Sequence, residues 1–443
     1  MIFSSIEFIA FFLIFIFLLK IFTNSQRELI ILSSLVFYSY WNPIFIFLIL
    51  YLCIITYYFI KNNSSLKLAI PLVLIPLFYF KYSSFLFSLL KINFLNGLGY
   101  TGNLPLAISF VTFTAIAILI DVKKRIFSDE INIKNLTEFL TYFPQLIAGP
   151  ILRAKELYPS LKKKITFSNE NIKFGIFLFT IGFVKKLFFA DTIALVVDPI
   201  FEDPTSMNPK DLLKGYLLFP LQIYFDFSGY VDMALGASII LGISLPINFN
   251  KPYLTYSITE FWRNWHITLS NWFRDYLYIP LGGSKHGKFK LYFNLILTMS
   301  VAGLWHGANF NFILWGFLNG LFLCLEKSFT AFTKSKSILR LTLNCFLIFN
   351  LWIVFRITEI TDLFSYFVLL YKNLFEIFDL QNIAILLFLA LSIYSQKYEN
   401  HDNIKNISNK LSYTVLLPIF IIILVTGLGI SAGQSEKFIY FDF

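Results

Sequence analysis

The sequence predicts an all-α, polytopic integral membrane protein, with about 11–12 transmembrane helices around a central funnel and some re-entrant or interfacial segments. Three observations carry that prediction. Of the 443 residues, 57% are hydrophobic and only 14% charged, against about 25% charged in an ordinary soluble domain. Apolar runs near the length needed to cross a bilayer recur along the whole chain. Lysine and arginine fall in every second loop between those runs, the bias expected of cytoplasmic loops. The chain reads as one membrane domain, 1–443, with an extracytoplasmic tail at 433–443.

The candidate spans are 5–22, 29–42, 43–60, 68–90, 104–120, 174–198, 211–243, 291–305, 311–326, 341–356, 382–396 and 412–431. The first lacks a basic start and a small-residue cleavage site, so it reads as a retained helix and not a signal peptide. Trp41-Asn-Pro43 separates the second from the third, because proline cannot donate the next helical hydrogen bond. With Lys123-Lys-Arg125 placed in the cytoplasm, Lys20/Arg27, Lys61/Lys67, Lys162–Lys164, Lys285–Lys290 and Lys334–Arg340 share that side. The opposite loops carry Glu202 and Asp203 or Glu359, Asp362, Glu376 and Asp379. Both termini then face outward, in a cytoplasmic (inner) membrane.

Two stretches do not fit a simple span. Residues 137–150 contain Pro144, Gly149 and Pro150 and are too short, which suggests a re-entrant or interfacial segment. Residues 257–283 mix Trp, Arg and Tyr with apolar residues at irregular spacing, which suits the membrane boundary or a cavity wall. Irregular backbone at membrane depth is tolerated only where protein or a water-filled cavity covers it, so the two imply a cavity.

The net charge of +10 reads as the topology of cytoplasmic basic loops, with a lipid head-group site as the alternative, and not as nucleic-acid binding. The three cysteines, Cys53, Cys324 and Cys345, lie in apolar runs without CxxC or Cys/His spacing. Neither a disulfide framework nor a metal site is expected.

Of four histidines, His306 alone has long apolar flanks on both sides, in the run 291–315. An ionisable group at that depth is expensive and is by default a functional candidate. Imidazole is also the side chain suited to take and return a proton near neutral pH. The alternative is a buried histidine that hydrogen-bonds between helices. His286 and His401 lie in polar loops and read as solvated. Asp226 and Asp232, six residues apart within 211–243, need partners. A break at Ser228-Gly-Tyr230 with local hydrogen bonds is the expected structural answer. Lys185 and Lys186 face the funnel or pair with Asp191.

The segment Phe261–Gly283, which contains Phe261-Trp-Arg-Asn-Trp-His266, together with Leu304-Trp-His-Gly307, resembles the membrane-bound O-acyltransferase family. Tyr142–Arg153, Leu221–Tyr230 and the tail Phe438–Phe443 are similar to its bacterial polysaccharide acetylation branch, which serves alginate and peptidoglycan. The matching blocks run from about residue 140 to 320 and recur at the C-terminus, in family order. Asp442 stands where the resemblance leads one to expect Gln.

The resemblance implies that His306 is the catalytic base and His266 its companion. Arg263, Arg274 and Asp275 read first as interfacial residues paired with one another or with lipid. Trp262, Trp305, Gly307, Asn309 and Arg263 are the candidate substrate contacts. Trp305 would pack on the acyl group, Gly303 and Gly307 would leave room beside the ring, and Arg263 would meet donor phosphates. Asn309 and Asn311 would polarise the carbonyl or, more simply, satisfy helix backbone. Tyr440 is the candidate acyl relay, since a phenol, with a reference pKa of about 10, leaves more readily than an alkyl alcohol. The alternative for Tyr440 is an aromatic interface anchor beside Phe438, Phe441 and Phe443.

The expected reaction moves an acetyl group from a cytoplasmic thioester, acetyl-CoA, to a cell-envelope polysaccharide, with peptidoglycan ahead of alginate or another exopolysaccharide. No cofactor or metal is expected to stay bound. The chain carries no large soluble domain, so an extracytoplasmic SGNH or serine-esterase-like transferase is the expected partner. Two other readings remain open here. One is D-alanyl transfer to teichoic acid, with an acyl carrier protein as donor. The other is a proton-coupled transporter using His306, Asp226 and Asp232, against which the lack of inverted repeats argues.

Overall fold

A computed structural model describes residues 1–90, 99–147, 149–329, 336–372 and 379–430, and every regular element among them is helical. In chain order, α1 (Ile6–Ile21), α2 (Gln26–Ser39), α3 (Ile46–Lys61), α4 (Leu66–Leu77) and α5 (Ser83–Leu89) are followed by α6 (Ile108–Lys123). Three short helices then occupy the region expected to be irregular: α7 (Ile133–Thr141), α8 (Phe143–Leu146) and α9 (Ala154–Leu161). Next come α10 (Asn169–Val184), α11 (Asp191–Glu202), α12 (Pro209–Ile240), α13 (Ile258–Asn264) and α14 (Ile267–Phe273). The last part holds α15 (Gly287–His306), α16 (Phe310–Ser328), α17 (Ile338–Arg356), α18 (Ile360–Lys372), α19 (Leu380–Ser395), α20 (His401–Lys410) and α21 (Tyr413–Ile430).

Helix starts follow the capping residues. Ser5, Asn132, Ser337 and Asp379 each accept a backbone N–H of the first turn, satisfying a donor that has no partner inside the helix. Asn42 and Pro43 open a 3₁₀ turn before α3, so the split there is as expected. Among the described residues, five helical runs are long and apolar enough to cross a membrane: Pro43–Lys61, Leu66–Leu89, Ile338–Arg356, Leu380–Tyr398 and Tyr413–Ile430.

Three features differ from the sequence expectation. The run 174–198 is interrupted by a π-helical turn at Lys185–Ala190. By contrast, α12 runs unbroken through Ser228-Gly-Tyr230, because Asp226 finds its partner in Lys186 and needs no helix break. The stretch 357–380, read as a loop from its charges, contains α18. Its Leu363, Tyr366 and Leu370, at helical spacing, are buried, and the Tyr366 hydroxyl donates to Leu212 O at 2.8 Å.

The chain divides into two compact units. Among the described residues, the first comprises 1–182, 230–246 and 411–430, and the second 183–229 and 247–410. In the first, Phe8, Phe11, Phe37 and Phe143 form a cluster of rings between α1, α2 and α8. There α10 meets the end of α12 at Gly175 and Gly236, where a Cβ on either glycine would lie 2.6 Å from the other's carbonyl oxygen. Small residues at such crossings let backbones approach closely in a membrane, where dispersion and not solvent exclusion holds helices together.

The same device builds the centre of the second unit, the α15/α16 hairpin. A Cβ at Gly303 would lie 2.0 Å from Phe312 O, one at Gly316 2.2 Å from Met299 O, and one at Gly320 2.6 Å from Ile296 Cα. These are backbone atoms and cannot swing aside. Gly303→Ala is therefore expected to destabilise the protein by about 1–3 kcal/mol, seen as a lowered Tm of the detergent-purified protein. An unchanged Tm would mean that the hairpin is not packed this closely.

Candidate active site

His306 is the last residue of α15. The chain leaves the helix at Gly307, whose backbone is extended, and Asn309 caps α16 by accepting Asn311 N–H at 3.4 Å. This tight reversal holds the imidazole against three rings, each edge-on. The centroids of Trp305, Trp315 and Phe355 lie 5.0, 5.2 and 5.2 Å away. His306 is 5% exposed. Edge-to-face packing on three sides fixes the ring orientation.

His266 sits at the turn between α13 and α14 with φ +41°, a left-handed conformation that a non-glycine residue adopts only when its surroundings impose it. Asn248 imposes it. Its carbonyl accepts Ile267 N–H, and its Oδ1 accepts both the Thr268 N–H and hydroxyl, at 3.1 and 2.7 Å. The imidazole packs edge-on against Phe227 at 4.8 Å and Trp305 at 6.2 Å. Trp305 thus touches both histidines. His266 is 1% exposed, and neither ring nitrogen has a hydrogen-bond partner among the described residues.

A cavity of about 300 Å³ reaches His306 from one side. One wall is the stripe Leu295, Thr298, Met299, Ala302 and His306 of α15, which runs about 16 Å along the helix. Trp262 and Trp315 line the His306 end, and Arg263, Arg274 and Lys327 also face the cavity. Arg274 is held by Asp275 through two bonds of 2.6 and 3.2 Å, the pairing expected of it. Arg263 and Lys327 have no ion-pair partner among the described residues. The cavity is therefore mostly apolar, with uncompensated positive charge and, at one end, an imidazole.

The structure sorts the predicted site residues. His306, Trp262 and Arg263 line one cavity, and Trp262 is fixed by donating to Asn319 Oδ1 at 3.1 Å. His266 and Trp305 stand behind His306, outside the cavity lining. The space expected beside Gly303 and Gly307 is not open to substrate: a Cβ at Gly307 would lie 2.2 Å from the Phe312 ring. The two glycines serve helix packing. Asn309 and Asn311 are engaged with backbone, Asn311 donating to Phe355 O at 3.2 Å. Tyr440 lies outside the described residues.

Sequence reasoning missed Trp315, Phe355 and Asn248. Trp315 had a usable signal, since it is nine residues beyond His306 on the next helix of a hairpin. Phe355 and Asn248 are too far along the chain for any local pattern to reveal.

Around the site, the π-helical turn directs its lysines to different partners. Lys186 binds Asp191 and Asp226, each at 2.7 Å, and Lys185 pairs with Glu399, which also accepts the Tyr224 hydroxyl at 2.8 Å. Asp226 is thereby satisfied, and the next residue, Phe227, is the ring that packs on His266.

A polytopic helical protein with a buried histidine lining a largely apolar cavity has the layout of a membrane enzyme. Residues 33–366 match the model of MBOAT, the membrane-bound O-acyltransferase family. The chain belongs to that family and is an acyltransferase; the matched region includes both His266 and His306.

Over 381 residues it is 38% identical to a protein of Pseudomonas syringae pv. tomato described as a probable alginate O-acetylase, AlgI, covering 80% of this chain and 72% of the relative. A protein of the same description from Pseudomonas aeruginosa is also 38% identical, over 379 residues with the same coverage. A peptidoglycan O-acetyltransferase of Helicobacter pylori is 37% identical over 344 residues, 69% of this chain and 65% of that one.

Proposed function

We propose that this protein is an O-acetyltransferase that passes an acetyl group across the cytoplasmic membrane for O-acetylation of a cell-envelope polysaccharide, peptidoglycan or a uronate polymer such as alginate. The observation that carries the reading is the cavity, lined by His306 and by the cations Arg263 and Lys327, which have no ion-pair partner among the described residues. A donor with an anionic head and a long neutral arm ending in a thioester matches both ends. Acetyl-CoA is such a donor.

In this scheme the cationic end opens to the cytoplasm and both termini lie outside, in keeping with the loop charges. His306 takes the proton of an acceptor hydroxyl as its oxygen attacks the acetyl carbonyl. The carbon–sulfur bond breaks, and the imidazolium returns the proton to the leaving thiolate. The first acceptor is Tyr440, in the extracytoplasmic tail 433–443 of a single membrane domain. An extracytoplasmic serine-esterase-like partner then carries the acetyl group to the sugar. His266 and Trp305 hold His306 in place from behind.

The reading is supported by relatives named for acetylation of two different polymers at nearly equal identity, which is why the acetyl group is better supported than the acceptor. The test is peptide mass spectrometry of the purified protein after incubation with acetyl-CoA, in wild type and Tyr440→Phe. The expected result is an acetyl adduct on the C-terminal peptide that is absent from the variant. Release of coenzyme A without any adduct would remove Tyr440 from the scheme. No release, with or without membranes containing the partner, would overturn the choice of donor.

A further inference from the structure

Base catalysis by His306 leaves half of the reaction without a group to perform it. As the acceptor oxygen adds to the thioester, the carbonyl oxygen becomes negative, and in a low-dielectric site that charge needs a hydrogen-bond donor facing it. Three of the donors near His306 are engaged. Trp262 N–H is given to Asn319 Oδ1 at 3.1 Å, Asn319 Nδ2 to Trp315 O at 2.8 Å, and Asn311 Nδ2 to Phe355 O at 3.2 Å.

Of the two indole N–H groups on the cavity-lining tryptophans, that of Trp315 has no acceptor among the described residues. Its ring stands edge-on to His306 at 5.2 Å and lines the same cavity. The residue is 1% exposed, and its indole N–H is buried with no acceptor among the described residues. Leaving a buried donor unmatched is unfavourable. Trp352, stacked on Trp315 at 6.0 Å, has an equally unmatched N–H but does not line the cavity. Only one of the two is therefore placed to meet substrate.

We propose that Trp315 is a catalytic residue: its Nε1–H donates to the acyl carbonyl oxygen and holds the oxyanion while His306 moves the proton. The hydrogen bond forms as the carbonyl oxygen gains charge, and it is released when the carbonyl re-forms and the thiolate leaves. Catalytic hydrogen bonds commonly close only in the substrate complex. This assignment rests on the thioester-donor reading above.

The experiment separates the two claims. Full-length wild type, Trp315→Phe and Trp352→Phe are titrated with two unreactive analogues of acetyl-CoA. One is a dethia ketone, in which a methylene replaces the sulfur and the carbonyl is kept; the other is S-ethyl-coenzyme A, which has no carbonyl oxygen. Wild type and Trp352→Phe are expected to prefer the ketone by about fivefold to tenfold, and Trp315→Phe to bind both alike. Acetyl transfer should fall by about 10²–10³ in Trp315→Phe alone.

A ketone preference retained in Trp315→Phe would overturn the assignment. Failure of wild type to bind either analogue would overturn the thioester donor, and the assignment with it. Should Trp315→Phe prove too unstable to purify, the indole N–H resonances of ¹⁵N-Trp-labelled wild type decide. A downfield shift on adding the ketone but not S-ethyl-coenzyme A supports the proposal, and no such shift rejects it.

Discussion

Replacing His306 with glutamine is expected to lower the rate of acetyl transfer by about 10²–10⁴, the range that a positioned general base contributes. Glutamine keeps most of the volume within the cage of Trp305, Trp315 and Phe355 and adds no charge, so the fold and the cavity should survive. Binding of S-ethyl-coenzyme A should therefore be nearly unchanged, while single-turnover transfer collapses. His266→Gln is expected to have a smaller effect, because His266 lies outside the cavity lining and reaches His306 through Trp305. Equal losses in the two variants would mean that His266 also meets substrate. Transfer undiminished in His306→Gln, in protein of normal abundance, would remove His306 as the base.

The largest expected loss of stability comes from Lys186→Met. Its ammonium is 2% exposed and lies between two carboxylates, Asp191 and Asp226, at 2.7 Å from each. Removing one member of a buried ion pair costs about 3–5 kcal/mol, because the remaining charge has no water to solvate it. Here two carboxylates would be left. The expected result is a large drop in Tm and in yield from membranes. Part of this loss should be recovered in Lys186→Met/Asp226→Asn, which removes one of the stranded charges. The effect should also reach the site, since Phe227 next to Asp226 supports the His266 ring at 4.8 Å. A double variant no more stable than Lys186→Met would show that the triad is not an electrostatic unit.

Much of this was legible in the chain itself. His306 stood out because an ionisable residue inside a long apolar run is costly in a membrane. In the structure the helix starts at Ser5, Asn132, Ser337 and Asp379 follow from a local effect, the side chain satisfying a first-turn N–H. The split at Pro43 was legible for the same kind of reason. By contrast, α18 was hidden: its buried positions Leu363, Tyr366 and Leu370 carry the helical period, but the charges around them mimic a loop.

What the amino-acid order determined by itself, then, was whatever short-range chemistry decides: membrane residence, the capped and proline-broken helices, and the outlying histidine. The tertiary structure alone decided which residues surround that histidine. Trp315 and Phe355 reach His306 from two different helices, and Asn248 strains His266 from a loop 18 residues away. It also decided that Gly303 and Gly307 face Phe312 and not substrate, and that Asp226 is held by Lys186 without a break in α12. Glycine and aspartate look the same in sequence whether they serve a ligand or a neighbouring helix. Only the atoms packed against them, brought from distant parts of the chain, distinguish the two.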